Sequence, residues 1–173
     1  MQQYVETLCN LTSLGANVDQ LDGKLIDLFA QQSRLGVLEA SRRLGVARGT
    51  VQARLDKLTD EGVITGWGPE LSADALGYPV TAFLTLEIRQ DADESGGHDA
   101  VGAHLAAISE VIEAHTITGA GDLLARVVAR SNTDLQRVID LVLKDPAIVR
   151  SSTVIALATQ VPYRVLPLAR AIS

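Results

Sequence analysis

The chain has 173 residues, 47% apolar and only 3% aromatic, enough for one ordinary domain or two small ones with cores of Leu, Val, Ile and Ala. Its one cysteine, Cys9, excludes an internal disulfide and a cysteine-rich zinc site; with neither a secretory signal nor about 18 consecutive apolar residues, it reads as a soluble cytoplasmic protein. A net charge of −6 argues against nucleic acid, yet residues 34–57 hold Arg34, Arg42, Arg43, Arg48, Arg54 and Lys57 against only Glu39 and Asp56.

Residues 1–20 carry no strong period and read as an N-terminal extension. From Leu21 the stripe Leu21, Leu25, Leu28 predicts an amphipathic helix. "VLEASRRLG" follows as a short helix closed by Gly45. A third helix over residues 47–61 buries Val51, Leu55 and Leu58 and stops at Gly62, which gives a helix-turn-helix pattern. "VITGWGPELS" reads as a turn or short ribbon, the wing of a winged helix, and "ADALGYP" as a hinge punctuated by Gly77 and Pro79. The expected boundaries are 21–72 for the helical domain, 73–79 for the hinge and 80–173 for the second domain.

From Val80 the period becomes two. Val80, Ala82, Leu84, Leu86 and Ile88 share one face of a strand, and Thr81, Phe83, Thr85 and Glu87 the other. A helix with Val101, Leu105 and Ile108 inward comes next. The strands "VIEAHTIT" and "LLARVVAR" flank the turn "GAGD". A helix with Leu135, Val138, Ile139 and Val142 inward and a last strand, "IVRSSTVIALAT", complete the pattern, before a tail containing Pro162 and Pro167. The order β-α-β-β-α-β predicts a ferredoxin-like domain, so the fold class is α+β.

On the third helix, the buried stripe turns Arg48, Gln52 and Ala53 outward and leaves Arg54 and Lys57 at its margins, where both are also expected to bind DNA. A recognition helix needs this division. Arg pairs bidentately with guanine O6/N7 and Gln with adenine N6/N7, while Gly49 and Ala53 permit close approach to the duplex. Arg34, Arg42, Arg43 and Lys57 suit phosphates. The plain alternative is a solvated helix, and Ala47 stands where a Ser, Thr, Asp or Asn cap is expected, so packing must hold the helix start.

Other motifs carry less. "GAGDLL" lacks the third glycine of a dinucleotide fingerprint and leads into a strand. As a compact loop it offers backbone N–H groups and Asp122 to the carboxylate and amine of a small zwitterion. "DADESG" resembles the start of a calcium loop, but Gly102 stands where the bidentate carboxylate belongs, so a solvated loop is expected. His98, His104 and His115 lack metal-ligand spacing and read as surface or interface residues, and no catalytic constellation is present. No metal, cofactor or enzymatic activity is expected.

Taken together, "LDGKLIDLFAQQSRLGVLEASRRLGVARGTVQARLDKLTDEGVITG", the "LGYP" junction, Gly119-x-x-Asp122 and "VRSSTVIAL" resemble the Lrp/AsnC, or feast/famine, family of regulators over residues 21 to about 168. The resemblance implies a winged helix-turn-helix followed by a ferredoxin-like effector-sensing (RAM) domain. It implies homodimers formed by packing sheets together, often assembled into octamers that wrap double-stranded DNA in the nucleoid. It also implies an amino acid or related metabolite bound between dimers, near Thr118, Gly119, Gly121, Asp122 and Thr153. The chain departs from the family pattern at Ala47, at Ala40-Ser41, and at Gly121, where a bulky or aromatic residue is common, so that the expected pocket is wider, differently selective or unused. The leading reading is a sequence-specific transcription regulator that responds to an amino acid. The alternatives are a low-specificity nucleoid-organising protein and a small-molecule-binding or catalytic protein with a vestigial helical domain.

Overall fold

The computed structural model describes residues 17–89 and 97–172. The chain divides into two compact units, Met1–Pro69 with Pro162–Ser173, and Glu70–Val161.

The first unit opens with α1 (Gln20–Gln31). Its start is fixed by two aspartates that cap each other: the Asp22 N–H donates to Asp19 Oδ1 at 2.9 Å, and the Asp19 N–H to Asp22 Oδ2 at 3.1 Å. Asp19 and Gln20, expected to close the N-terminal extension, therefore belong to this helix and its cap. α2 (Val37–Leu44) stops at Gly45, whose φ of 66° lies in the left-handed region open to glycine. Its Ser41, buried where a larger apolar residue would thicken the contact, donates its hydroxyl to the Leu38 carbonyl at 2.8 Å. α3 (Arg48–Asp60) has no side-chain cap at Ala47, so its burial of Val51, Leu55 and Leu58 must supply the stability. Leu25, Phe29, Ala40, Val51 and Leu55 form one core.

Of the turn or short ribbon expected after Gly62, the chain forms the turn: residues 63–79 contain no strand. A hairpin needs two pairing runs, and Gly66, Gly68 and Pro69 interrupt this one. Trp67 instead packs edge-on against Phe29, with ring centroids 5.6 Å apart.

In the second unit, residues 72–78 form a turn in which the Tyr78 N–H donates to the Ala73 carbonyl and Gly77 takes a φ of 91°. The Tyr78 hydroxyl accepts from Arg130 Nη2 at 3.2 Å, and the guanidinium lies over the Tyr78 ring. Then follow β1 (Val80–Ile88), α4 (Gly97–Ala106), β2 (Val111–Thr116), β3 (Leu123–Ala129), α5 (Asn132–Val142) and β4 (Ile148–Ile155). The sheet order β2-β3-β1-β4, antiparallel throughout, is the ferredoxin-like arrangement. Ala82, Leu84, Leu86 and Ile88 join Leu123, Ala125 and Val127 in a core with Val101 and Leu105 of α4 and Leu135, Val138 and Val142 of α5. The opposite face stays open. On it Thr81, Phe83 and Thr85 lie across from Val128, Arg126 and Leu124.

The second domain is expected to run to residue 173, but Pro162–Ser173 groups with the helical unit. Its short helix α6 (Leu166–Arg170), with Pro167 in its first turn, lies against α1, and Arg170 Nε donates to Asp27 Oδ1 at 2.6 Å. No apolar period announces this helix, because five residues are too few to show one.

Candidate nucleic-acid interface and effector loop

The core stripe of α3 divides its polar residues into two flanks. Arg48, Gly49, Gln52 and Ala53 are exposed on one. Gln52 Nε2 donates to Asp56 Oδ1 at 2.8 Å, an exposed bond that water replaces at little cost. No carboxylate pairs with Arg48 or Arg34 among the described residues. Arg42 is exposed, with its nearest carboxylate oxygen, on Glu39, at 3.9 Å.

The remaining cations expected to meet DNA are held within the protein. Arg43 donates to Glu39 Oε1 at 3.0 Å and to Gln32 Oε1 at 2.9 Å. Arg54 Nη1 donates to Asp22 Oδ1 at 3.0 Å and also to Asp19 Oδ2. Lys57 Nζ donates to the Asn17 carbonyl at 2.7 Å and lies 3.8 Å from Asp22 and 3.9 Å from Glu61. The Asp22 N–H, and then the Arg54 guanidinium, hold the Asp19 carboxyl below the usual aspartate range, and Asp19 in turn raises Arg54. Sequence reasoning missed Asp19 and Asp22, although acids three residues apart ahead of an apolar stripe are a capping signal.

In the second unit, the loop from Ile117 to Asp122 joins β2 to β3, and Gly119 has a φ of 115°. Asp122 is a structural hub. Its N–H donates to the Leu86 carbonyl at 2.9 Å, its carbonyl accepts from the Ile117 N–H at 3.0 Å, and Oδ2 accepts from the Ile88 N–H at 2.7 Å. The side chain thus serves the end of β1 where the β1–β4 register shifts. Gly121 does not widen a pocket here: a Cβ at this position would collide with the Thr85 methyl and come within 3.1 Å of the Leu86 carbonyl oxygen. Thr118 and Gly119 are exposed beside Gly121 and Asp122. Thr153 is exposed too, but it pairs with Leu84 on the other side of β1. β3 and β4 flank β1 and lie about 10 Å apart, so Thr153 and the loop are not neighbours in the sheet.

His104 is partly buried, with Nε2 3.0 Å from the Leu141 and 3.1 Å from the Val142 carbonyl oxygens, where it satisfies the end of α5. His115 is exposed against Glu113. The "DADESG" segment lies outside the described residues. No helix among the described residues is long and apolar enough to cross a membrane.

Two family models match the chain: the AsnC-type helix-turn-helix domain at residues 18–59 and the Lrp/AsnC ligand binding domain at residues 81–166. The HTH-type transcriptional regulator FL11 of Pyrococcus horikoshii is 26% identical over 151 residues, covering 87% of this chain and 97% of the relative. Regulatory protein AsnC of Escherichia coli is 30% identical over 122 residues, covering 70% of this chain and 78% of the relative. The E. coli AsnC structure superposes with a TM-score of 0.77 at 27% identity, over 87% of this chain and 99% of that one. A feast or famine regulatory protein from M. tuberculosis, solved with L-methionine, superposes with a TM-score of 0.72 at 24% identity, over 85% of this chain and 97% of that one.

Proposed function

The chain belongs to the Lrp/AsnC family of DNA-binding transcriptional regulators, and from that premise we propose how its two units divide the work. α3 enters the major groove with Arg48 and Gln52 on base edges, Gly49 allowing close approach, and Arg34 and Arg42 on phosphates. The observation that carries this is the exposed flank of α3, where Arg48 meets no carboxylate among the described residues and Gln52 is held by a surface bond to Asp56.

The second unit senses and assembles. Its open sheet face exposes Phe83 and Val154, and the Arg126 Nε is buried there without a hydrogen-bond partner. A second copy packed on this face covers the apolar side chains and offers acceptors to Arg126. An amino acid binds at Thr118, Gly119, Gly121 and Asp122. Because Thr153 lies across β1 from this loop, it joins the site only as a residue of another copy, which supports a pocket between dimers and a higher assembly such as an octamer. The L-methionine complex of the M. tuberculosis protein makes an amino acid the first ligand class to try. Such a ligand acts by binding two assembly or docking geometries unequally. The protein works in the cytoplasm, at the nucleoid.

Fluorescence anisotropy on the DNA upstream of the protein's own gene, beside a scrambled duplex at two salt concentrations and with L-methionine and other amino acids, tests this. A preference of roughly a thousandfold supports a specific regulator. Equal, steeply salt-dependent binding to both duplexes indicates DNA wrapping without specificity and refutes the assignment of α3 to base reading.

A further inference from the structure

Arg54 and Lys57 face away from the proposed reading flank, toward the N-terminal end of α1. There a single Arg54 nitrogen, Nη1, donates to both Asp19 and Asp22, the two carboxylates that already cap each other's backbone. Asp22 has no solvent exposure. Three carboxylates, Asp19, Asp22 and Glu61, therefore face Arg54 and Lys57, so neither cation is in excess. For Arg54 to reach a DNA phosphate it must leave a buried carboxylate short of its main partner, which is strongly unfavourable. Arg48, Arg34 and Arg42 reach phosphate without that penalty.

We infer that Arg54 is a positioning residue: by bridging Asp19 and Asp22 it fixes the roll of α3 against α1, and it does not contact DNA. This rests on α3 being the reading helix. The physical need follows from the rest of the contact. Val51, Leu55 and Leu58 are aliphatic and set the distance between helices, but they restrain rotation weakly, and Ala47 provides no side-chain anchor. Side chains lie about 6 Å from a helix axis, so a roll of about 10° moves their tips by about 1 Å. Hydrogen-bond distances span only about 0.5 Å, so that roll breaks a bidentate base contact. A directional charge pair supplies the restraint that aliphatic packing lacks.

The test turns on a sign. Asp19→Asn keeps an N-cap of equal quality and leaves the Arg54–Asp22 bond in place, so the fold survives. It also removes a negative charge near the proposed interface. If Arg54 were a phosphate contact restrained by Asp19, this change would tighten binding to every duplex. For a positioning residue it weakens the upstream duplex about tenfold, leaves scrambled DNA unchanged or slightly tighter, and so lowers the specificity ratio. Arg54→Lys, which keeps the charge but replaces the planar guanidinium and its fixed donor directions with a freely rotating ammonium, also lowers the ratio. Arg54→Ala leaves the salt slope unchanged, and adding Asp19→Asn to it costs nothing further.

Tighter binding of Asp19→Asn to both duplexes, full recovery by Arg54→Lys, or a slope smaller by about one in Arg54→Ala overturns the inference. If the wild type binds both duplexes alike, the reading of α3 as the base-reading helix fails, and the slope still decides for Arg54. An unchanged slope then upholds the part of the inference that keeps Arg54 off DNA, and a reduced one refutes it.

Discussion

Gly121→Ala sets two effects of opposite sign against each other. Gly121 is not among the glycines with positive φ, so its backbone accepts alanine. At a permissive position the substitution stabilises by about 0.4–1 kcal/mol, through the lost freedom of the unfolded chain. Against this, the added methyl collides with the Thr85 side-chain methyl and lies 3.1 Å from the Leu86 carbonyl oxygen. Overpacking of this kind costs about 1–3 kcal/mol, so the net is a loss of about 1–2 kcal/mol. For a domain the size of Glu70–Val161, that lowers the melting temperature by roughly 4–16 °C. Thr85→Ser removes the obstructing methyl and keeps the hydroxyl. The double variant therefore recovers about half of the loss, with the Leu86 carbonyl accounting for the rest. Circular dichroism melts of the wild type, both single variants and the double complete the cycle. A Gly121→Ala protein that melts at or above the wild-type temperature, or strictly additive substitutions, would refute this account of the loop.

Asp122→Ala removes the acceptor of the Ile88 N–H and is expected to destabilise the second unit by about 1–3 kcal/mol. Asp122→Asn keeps an acceptor oxygen, so in urea titrations it stays near wild type while losing any amino-acid response that depends on the carboxylate charge. Arg48→Ala and Gln52→Ala each cost about 1–3 kcal/mol on the preferred duplex and relax preference at one base pair. Arg34→Ala weakens all duplexes alike, and a competition assay over single-base variants separates the two patterns. Several aspartates titrate below their ordinary value: Asp134 because of Arg137 and the Arg130 N–H, Asp27 because of Arg170 and Gln31, and Asp19 because of the Asp22 N–H and Arg54. Folded values below the unfolded one, near pH 3.9, make their stabilisation complete above about pH 4 and lost as pH falls through the lower folded values. Urea midpoints are accordingly flat from pH 7 to 5 and decline below pH 4, and a midpoint constant down to pH 3 contradicts the assignment.

The elements and their order were legible because the signals are local. Val51, Leu55 and Leu58 recur at helical spacing, Ala82, Leu84 and Leu86 alternate, and glycines fall where helices must stop. The order of elements then admitted the ferredoxin-like sheet. The functional residues were legible only as types. Arg54 and Arg48 are the same residue on the same helix, and no local pattern tells that one is bound to Asp22 while the other faces solvent. Asp122 was legible as a polar loop residue, but not as the acceptor that completes the end of β1. Between the turn and the short ribbon expected after Gly62, local pattern did not decide, for the complementary reason: a β-branched start makes a strand only if a partner exists to pair with it.

By itself the sequence determined the two-part plan, the helix-turn-helix, the βαββαβ order and the concentration of positive charge in the first part. These follow from periodicity and composition along the chain. Tertiary structure decided which of those charges remain available, why glycine is favoured at Gly121, and that the C-terminal helix returns to α1. Each of these depends on groups far apart in sequence meeting within a few ångströms: Arg54 with Asp22, Gly121 with Thr85, Arg170 with Asp27. Electrostatic pairing and steric exclusion act through space, so a pattern read along the chain does not contain them.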